Sequence, residues 1–144
     1  MFDGPSMSEA VEGNTMIEIH DSTLEQVDMA GDGLVATLSA FVHRSPGVPG
    51  RSRGSVWSQT VRLELQGGSH GGVDSPIWVV DGHVALGGET YDNTIPWPLA
   101  HVGPVRIEFE GSEGEHIVLV GQGLKVSLLK DAKYVEEFPG EQAL

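Results

Sequence analysis

The sequence contains no cysteine. That removes a disulfide framework, a thiolate-bound zinc and a cysteine nucleophile together, and it fits a reducing interior. Basic residues are scarce: 8 Lys and Arg stand against 21 Asp and Glu, a formal charge of −13. None of the eight precedes Arg44, whereas eight acids do. Phosphate backbones and anionic headgroups repel such a chain, so neither nucleic acid nor membrane is expected as a partner. A basic protein partner is favoured electrostatically. Long apolar runs are also missing: Ile117–Val120 falls far short of the roughly 20 residues that span a bilayer. No basic segment followed by an apolar core marks the N-terminus, and a soluble cytoplasmic protein is the expectation.

Catalytic signatures are absent in the same way. There is no P-loop, no G-x-S-x-G elbow around Ser55, Ser58 or Ser112, and no H-x-H, H-x₃-H or H-E-x-x-H spacing among the six histidines. Asp74, Asp81, Glu89, Asp92 and Asn93 gather near two loops but lack the spacing of a calcium loop, and turn formation accounts for them. No cofactor is implied.

What is present is period-two alternation between glycine-rich breaks. At 144 residues the chain suits one domain, able to bury about 70% of its unfolded surface. Residues 1–14 read as a loose arm, with Met1–Ser6 a candidate expression remnant, and residues 139–144 read as a loose tail. Met16–His20 alternates as a first strand. Ser22–Glu25 matches a capping box with Gly31 as a helix stop, yet Val27 and Met29 alternate toward a Gly31-Asp32-Gly33 turn; the hairpin is preferred because the helix has barely two turns. Leu34–Val42 and Val56–Gln66 are strands, separated by an exposed loop, Arg44–Gly54, with two prolines and three glycines. Pro76–Leu86 reads as a hairpin turning at Asp81-Gly82, with Trp78 in its core. Ile95–Leu99 offers a short edge strand. Pro104–Lys130 reads as a three-stranded meander with breaks at Gly111–Gly114 and Gly121–Gly123. Tyr134, Val135 and Phe138 can pack back on the body. The sum is an all-β, antiparallel β-sandwich or flattened barrel of about eight or nine short strands with little or no helix.

Candidate binding residues come from the rim and loops. His20-Asp21 and His43-Arg44 could meet across the base of a hairpin, where an imidazole beside a carboxylate serves as a base or helps hold a metal. The plainer alternative has Asp21 and Ser22 satisfying backbone groups at a strand end. Arg44, Arg51 and Arg53 form the one basic cluster and could grip a carboxylate or phosphate, or pair with the chain's own acids. Trp97, between Pro96 and Pro98, could stack on a ligand, anchor a partner or lid one end of the fold.

The run Ile19-His20-Asp21-Ser22-Thr23-Leu24 resembles the opening strand of a group of small uncharacterised bacterial all-β proteins that includes immunity proteins of polymorphic toxin systems. The resemblance implies a non-enzymatic, partner-binding protein and carries no catalytic residues with it. The main expectation is therefore a binding module for another protein. The alternative is a small-molecule-binding or metal-dependent enzyme using the mouth of the β fold, with His20, Asp21 and His43 as its polar groups.

Overall fold

The computed structural model describes residues 14–70, 73 and 76–140, and all regular structure in them is β. The strands are β1 (Asn14–Ala30), β2 (Gly33–Ser45), β3 (Gly54–Gln66), β4 (Ser69–His70), β5 (Ile77–Leu86), β6 (Glu89–Asp92), β7 (Thr94–Ile95), β8 (Leu99–Gly111), β9 (His116–Leu128) and β10 (Lys133–Phe138). No helix among the described residues is long and apolar enough to cross a membrane.

Six of these strands close on themselves. The order β3-β2-β1-β5-β8-β9 is antiparallel throughout, and β9 returns to β3 through Val61↔Leu128 to Leu65↔Leu124. Closure removes the free edges an open sheet would leave. The four remaining strands are appendages: β10 on β3, β4 on β9, β6 on β5 and β7 on β1. The barrel is the architecture, and the ten strands exceed the eight or nine expected because the short appended ones carry too few residues for a readable period.

The interior follows the alternation. Ala36, Leu38, Ala40 and Val42 from β2, Val61, Leu63 and Leu65 from β3, and Ile107 and Phe109 from β8 are all buried, with Ile17, Ile19 and Leu24 from β1. Side chains alone fill a barrel of this size.

Several expectations are corrected. The two segments before Gly31 form one 17-residue strand, β1, bent by a large bulge. Its hairpin with β2 turns at Gly31-Asp32, between Ala30 and Gly33, so the preferred hairpin reading of residues 22–30 holds over the helix. Asp81-Gly82 is not a turn: β5 continues through it, and the chain reverses at Gly87-Gly88, where Gly87 has φ +60°. Gly82 is needed for closeness instead. A Cβ there would sit 2.5 Å from the Glu108 carbonyl oxygen and 2.9 Å from Ile19 Cγ2. The meander has two long strands, not three, since β9 continues through Gly121 and Gly123; a Cβ at Gly121 would lie 3.0 Å from the Gln66 carbonyl oxygen. Trp78 is 57% exposed, because Ile77 and Val79 take the inward positions on either side of it. Arg44 belongs to the end of β2 and not to the loop. Tyr134 and Phe138 do return to the body, on β10, edge-on to Trp57 and His43.

Candidate functional site

The bulge in β1 is the largest departure from regular pairing. Four residues, Ile19–Ser22, oppose the single Ala40 between the pairs Glu18↔Phe41 and Thr23↔Ser39. Ile19 and Ser22 point inward and are fully buried, while His20 and Asp21 are left outside. Asp21 has φ +68°, a left-handed conformation that costs a non-glycine residue of order 1 kcal/mol. What holds it is Asn93, itself at φ +59°. The Asn93 carbonyl accepts from Ile19 N at 3.0 Å, its side-chain Oδ1 accepts from His20 N at 2.7 Å, and its own N–H donates to the Gly82 carbonyl at 2.9 Å. Asn93 thus ties the β1 bulge to β5, a role its position in a wandering loop did not signal.

A second bulge in β5 faces the first. Between Val79↔Gly111 and Asp81↔Glu110 the strand carries Val80 as a surplus residue, so Val80 and Asp81 both lie outside. Asp81 Oδ1 accepts from Gly82 N at 2.8 Å and stabilises the kink. His20 Nδ1 donates to the Val80 carbonyl at 2.6 Å, bridging the bulges, with Nε2 3.4 Å from Asp21 Oδ2. The Val80 hydrogen bond raises the imidazole pKa above its ordinary 6.5; burial opposes this, while Asp21, Glu18 and Asp81 add to it through their charge. Trp78, opposite Thr23, completes the face with Val80 at 36% exposure. The result is an outward aromatic and an outward aliphatic side chain on β5, next to the His20 imidazole on which the Asp21, Glu18 and Asp81 charges act. Paired bulges are a recurrent way for a sheet to aim side chains outward.

The other predicted residues lie elsewhere. His43 sits on the outer face of β2, hydrogen-bonded through Nε2 to Glu18 Oε1 at 2.8 Å and covered by Phe138, with its Nδ1 buried and unpaired. It does not meet Asp21. Ser22 does not cap a strand end either: β1 continues through it, and its buried hydroxyl has no hydrogen-bond partner. Arg51 and Arg53 are exposed on a loop fastened by hydroxyls, Ser45 Oγ donating to the Arg53 carbonyl at 2.7 Å and Ser52 Oγ accepting from Val48 N at 3.0 Å.

Arg44 and Trp97 come together at one end of the barrel. A cleft of about 580 Å³ opens there, lined by Arg44, Trp57, Gln59, Trp97, Leu128 and Lys130 among others. The Arg44 guanidinium stacks 5.1 Å from the Trp57 ring centroid, and its Nη2 donates to Gln59 Oε1 at 3.0 Å. Gln59, 7% exposed, donates in turn to the Leu129 carbonyl at 2.6 Å. Trp57, Gln59 and Lys130 were not singled out by sequence. The even-numbered inward row of β2, continued two residues past Val42, does lead to Arg44.

The calcium-like cluster dissolves into local roles. Asp81 and Asn93 organise backbone, Glu89 accepts from the Tyr91 hydroxyl at 2.8 Å, and Asp74 lies outside the described residues. Among the described residues no group of three or more His, Cys, Asp or Glu is arranged to hold a metal ion.

The chain matches no family model, no curated protein and no solved structure.

Proposed function

We propose that this protein is a non-enzymatic binding module that docks a basic protein partner on the face between the opposed bulges of β1 and β5. The observation that carries this reading is the exposure of Trp78, 57%, with Val80 two residues along β5 also outside, and with Asp21 and Asp81 exposed at the opposed bulges. A tryptophan held out of the core on a rigid strand, with an aliphatic neighbour, has the character of an interface anchor. The exposed Asp21 and Asp81 carboxylates have the sign that suits a cationic surface, and the −13 charge of the whole chain steers such a partner from a distance. The same charge argues against nucleic acid and anionic membrane. The resemblance of Ile19–Leu24 to the immunity-protein group implies the same class of activity, and the strained Asp21 stands in that segment.

The test is capture with the whole chain as bait, comparing wild type with Trp78→Ala and Val80→Ser. A stoichiometric basic partner is expected on the wild type, with retention weakening as salt rises and falling in both variants while their melting curves stay unchanged. A partner retained equally by Trp78→Ala, or one indifferent to salt, contradicts the reading.

A further inference from the structure

A second feature stands apart from that docking face. In a chain with 21 acids and 8 bases, Arg44 is half-buried at the barrel mouth and, among the described residues, pairs with no carboxylate. Its partners are the neutral Gln59 amide and the Trp57 ring. An arginine carries five N–H donors in a flat fork matched to carboxylate geometry, and here Gln59 occupies one arm. Most acidic proteins would satisfy such a group internally, as this one does for Arg106, whose Nε lies 2.7 Å from Glu108 Oε2.

The site is also held open in a fixed form. Gln59 is hydrogen-bonded through both ends of its amide. Trp57 Nε1 donates to Ser55 Oγ at 2.9 Å, and its ring is braced by Tyr134 at 5.5 Å. The rim segment after β9 is fastened to β3: Leu129 N donates to the Thr60 carbonyl at 3.0 Å, and Asp131 accepts from Thr60 N at 3.0 Å and from its hydroxyl. These two hydrogen bonds, the hydroxyl's first, hold the Asp131 carboxyl below its usual range. Lys130, exposed on the same rim, adds a second positive charge. Trp57, Trp97 and Leu128 supply apolar walls, and the volume falls in the range of small-ligand sites, roughly 300–1,000 Å³.

From these observations we infer that the barrel mouth is a binding site for a small organic anion with a flat apolar body, its carboxylate seated on Arg44 and its ring between Trp57 and Trp97. Lys130 strengthens the charge contact from the rim. Neither the anion alone nor the ring alone satisfies both halves of the site, so recognition requires the two in one molecule.

The probe is 2-naphthoate, titrated into the whole chain while the three tryptophan indole N–H signals are followed by NMR. Binding is expected to shift Trp57 and Trp97 and leave Trp78 unmoved. The neutral isostere 2-naphthamide and the ringless acetate should each bind at least about tenfold more weakly. Arg44→Met should lose about tenfold or more in affinity, and Lys130→Gln about two- to threefold with an unchanged melting curve. If Arg44→Met disturbs the mouth, the acid–amide comparison and Lys130→Gln still decide. Equal binding of acid and amide, unaltered affinity in Arg44→Met, shifts confined to Trp78, or no shift with naphthoate at millimolar concentration would each overturn the proposal. None of these outcomes depends on the Trp78 docking face, which Trp78→Ala tests separately.

Discussion

Replacing Glu108 with glutamine removes the charge on which three neighbours converge while keeping the shape of the side chain. On the outer face of β8, Arg106 Nε lies 2.7 Å from Oε2, His116 Nε2 2.9 Å from Oε1 and His83 Nε2 3.4 Å from Oε2, with the glutamate side chain 19% exposed. The Arg106 hydrogen bond, then that of His116, draws the carboxyl from its ordinary 4.5 to about 2. That difference corresponds to about 3 kcal/mol as an upper bound. Because Arg106 and His116 are half exposed and solvent screens them, about 1–2 kcal/mol is the working figure. The sign follows from linkage: a depressed carboxylate stabilises fully above its unfolded value near 4.5, and that contribution is lost as pH falls toward 2. Urea unfolding of wild type and Glu108→Gln should therefore differ by about 1–2 kcal/mol at about pH 6, with the gap narrowing steadily below about pH 4.5. A gap that stays constant down to about pH 3, or one under about 0.5 kcal/mol at neutral pH, refutes the assignment of Glu108 as the hub of this cluster.

Three further outcomes are expected. Gly82→Ala forces a Cβ against the Glu108 carbonyl and Ile19, and denaturant unfolding should show a loss of about 2–3 kcal/mol, while Gly88→Ala, where nothing lies within 4 Å, should stay within about 0.5 kcal/mol. Phe109→Ala, which empties a fully buried position, should cost about 3–5 kcal/mol in the same assay. The His20 titration midpoint, followed by NMR, should lie above 6.5 and move down in Asp21→Asn; its contribution to stability is present below 6.5 and disappears as pH rises through the raised midpoint, and a midpoint at or below 6.5 contradicts the Val80 hydrogen bond.

The parts of this structure that sequence made legible are those governed by period-two burial. Leu34–Val42 and Val61–Leu65 alternate cleanly, and their inward residues form the barrel wall. The failures come where glycine acts through distant contacts. Asp81-Gly82 has the local chemistry of a tight turn, but Gly82 serves close packing against β8 and β1, which only the closed barrel reveals. Gly121 and Gly123 likewise admit the end of β3 and do not break β9. Two further signals lie in the same alternation. Alternation carried through Ile77 and Val79 places Trp78 outside, and alternation carried past Val42 places Arg44 at the mouth. The candidate site was half legible for a related reason. His20 and Asp21 stand at a bulge, but the residue that shapes it, Asn93, lies 73 residues beyond His20. His43, adjacent to Arg44 in sequence, faces the opposite side of the sheet, so the four residues expected in one place divide between the β1 bulge, the mouth and a separate contact with Glu18.

Barrel closure explains why so irregular a pair of bulges survives. Each bulge interrupts a ladder, yet Asn93 and His20 re-satisfy the freed backbone groups, and the six-strand ring fixes the surrounding register. The strained Asp21 and the outward Trp78 thus stand on strands whose register the closed ring fixes.

The most direct test of the docking face is hydrogen–deuterium exchange on the chain alone and with the partner captured by the wild type. Protection is predicted in two separated stretches, residues 18–23 and 77–82, which the opposed bulges bring together. Protection confined to β10 or to the barrel mouth, with those two stretches unchanged, would contradict the account.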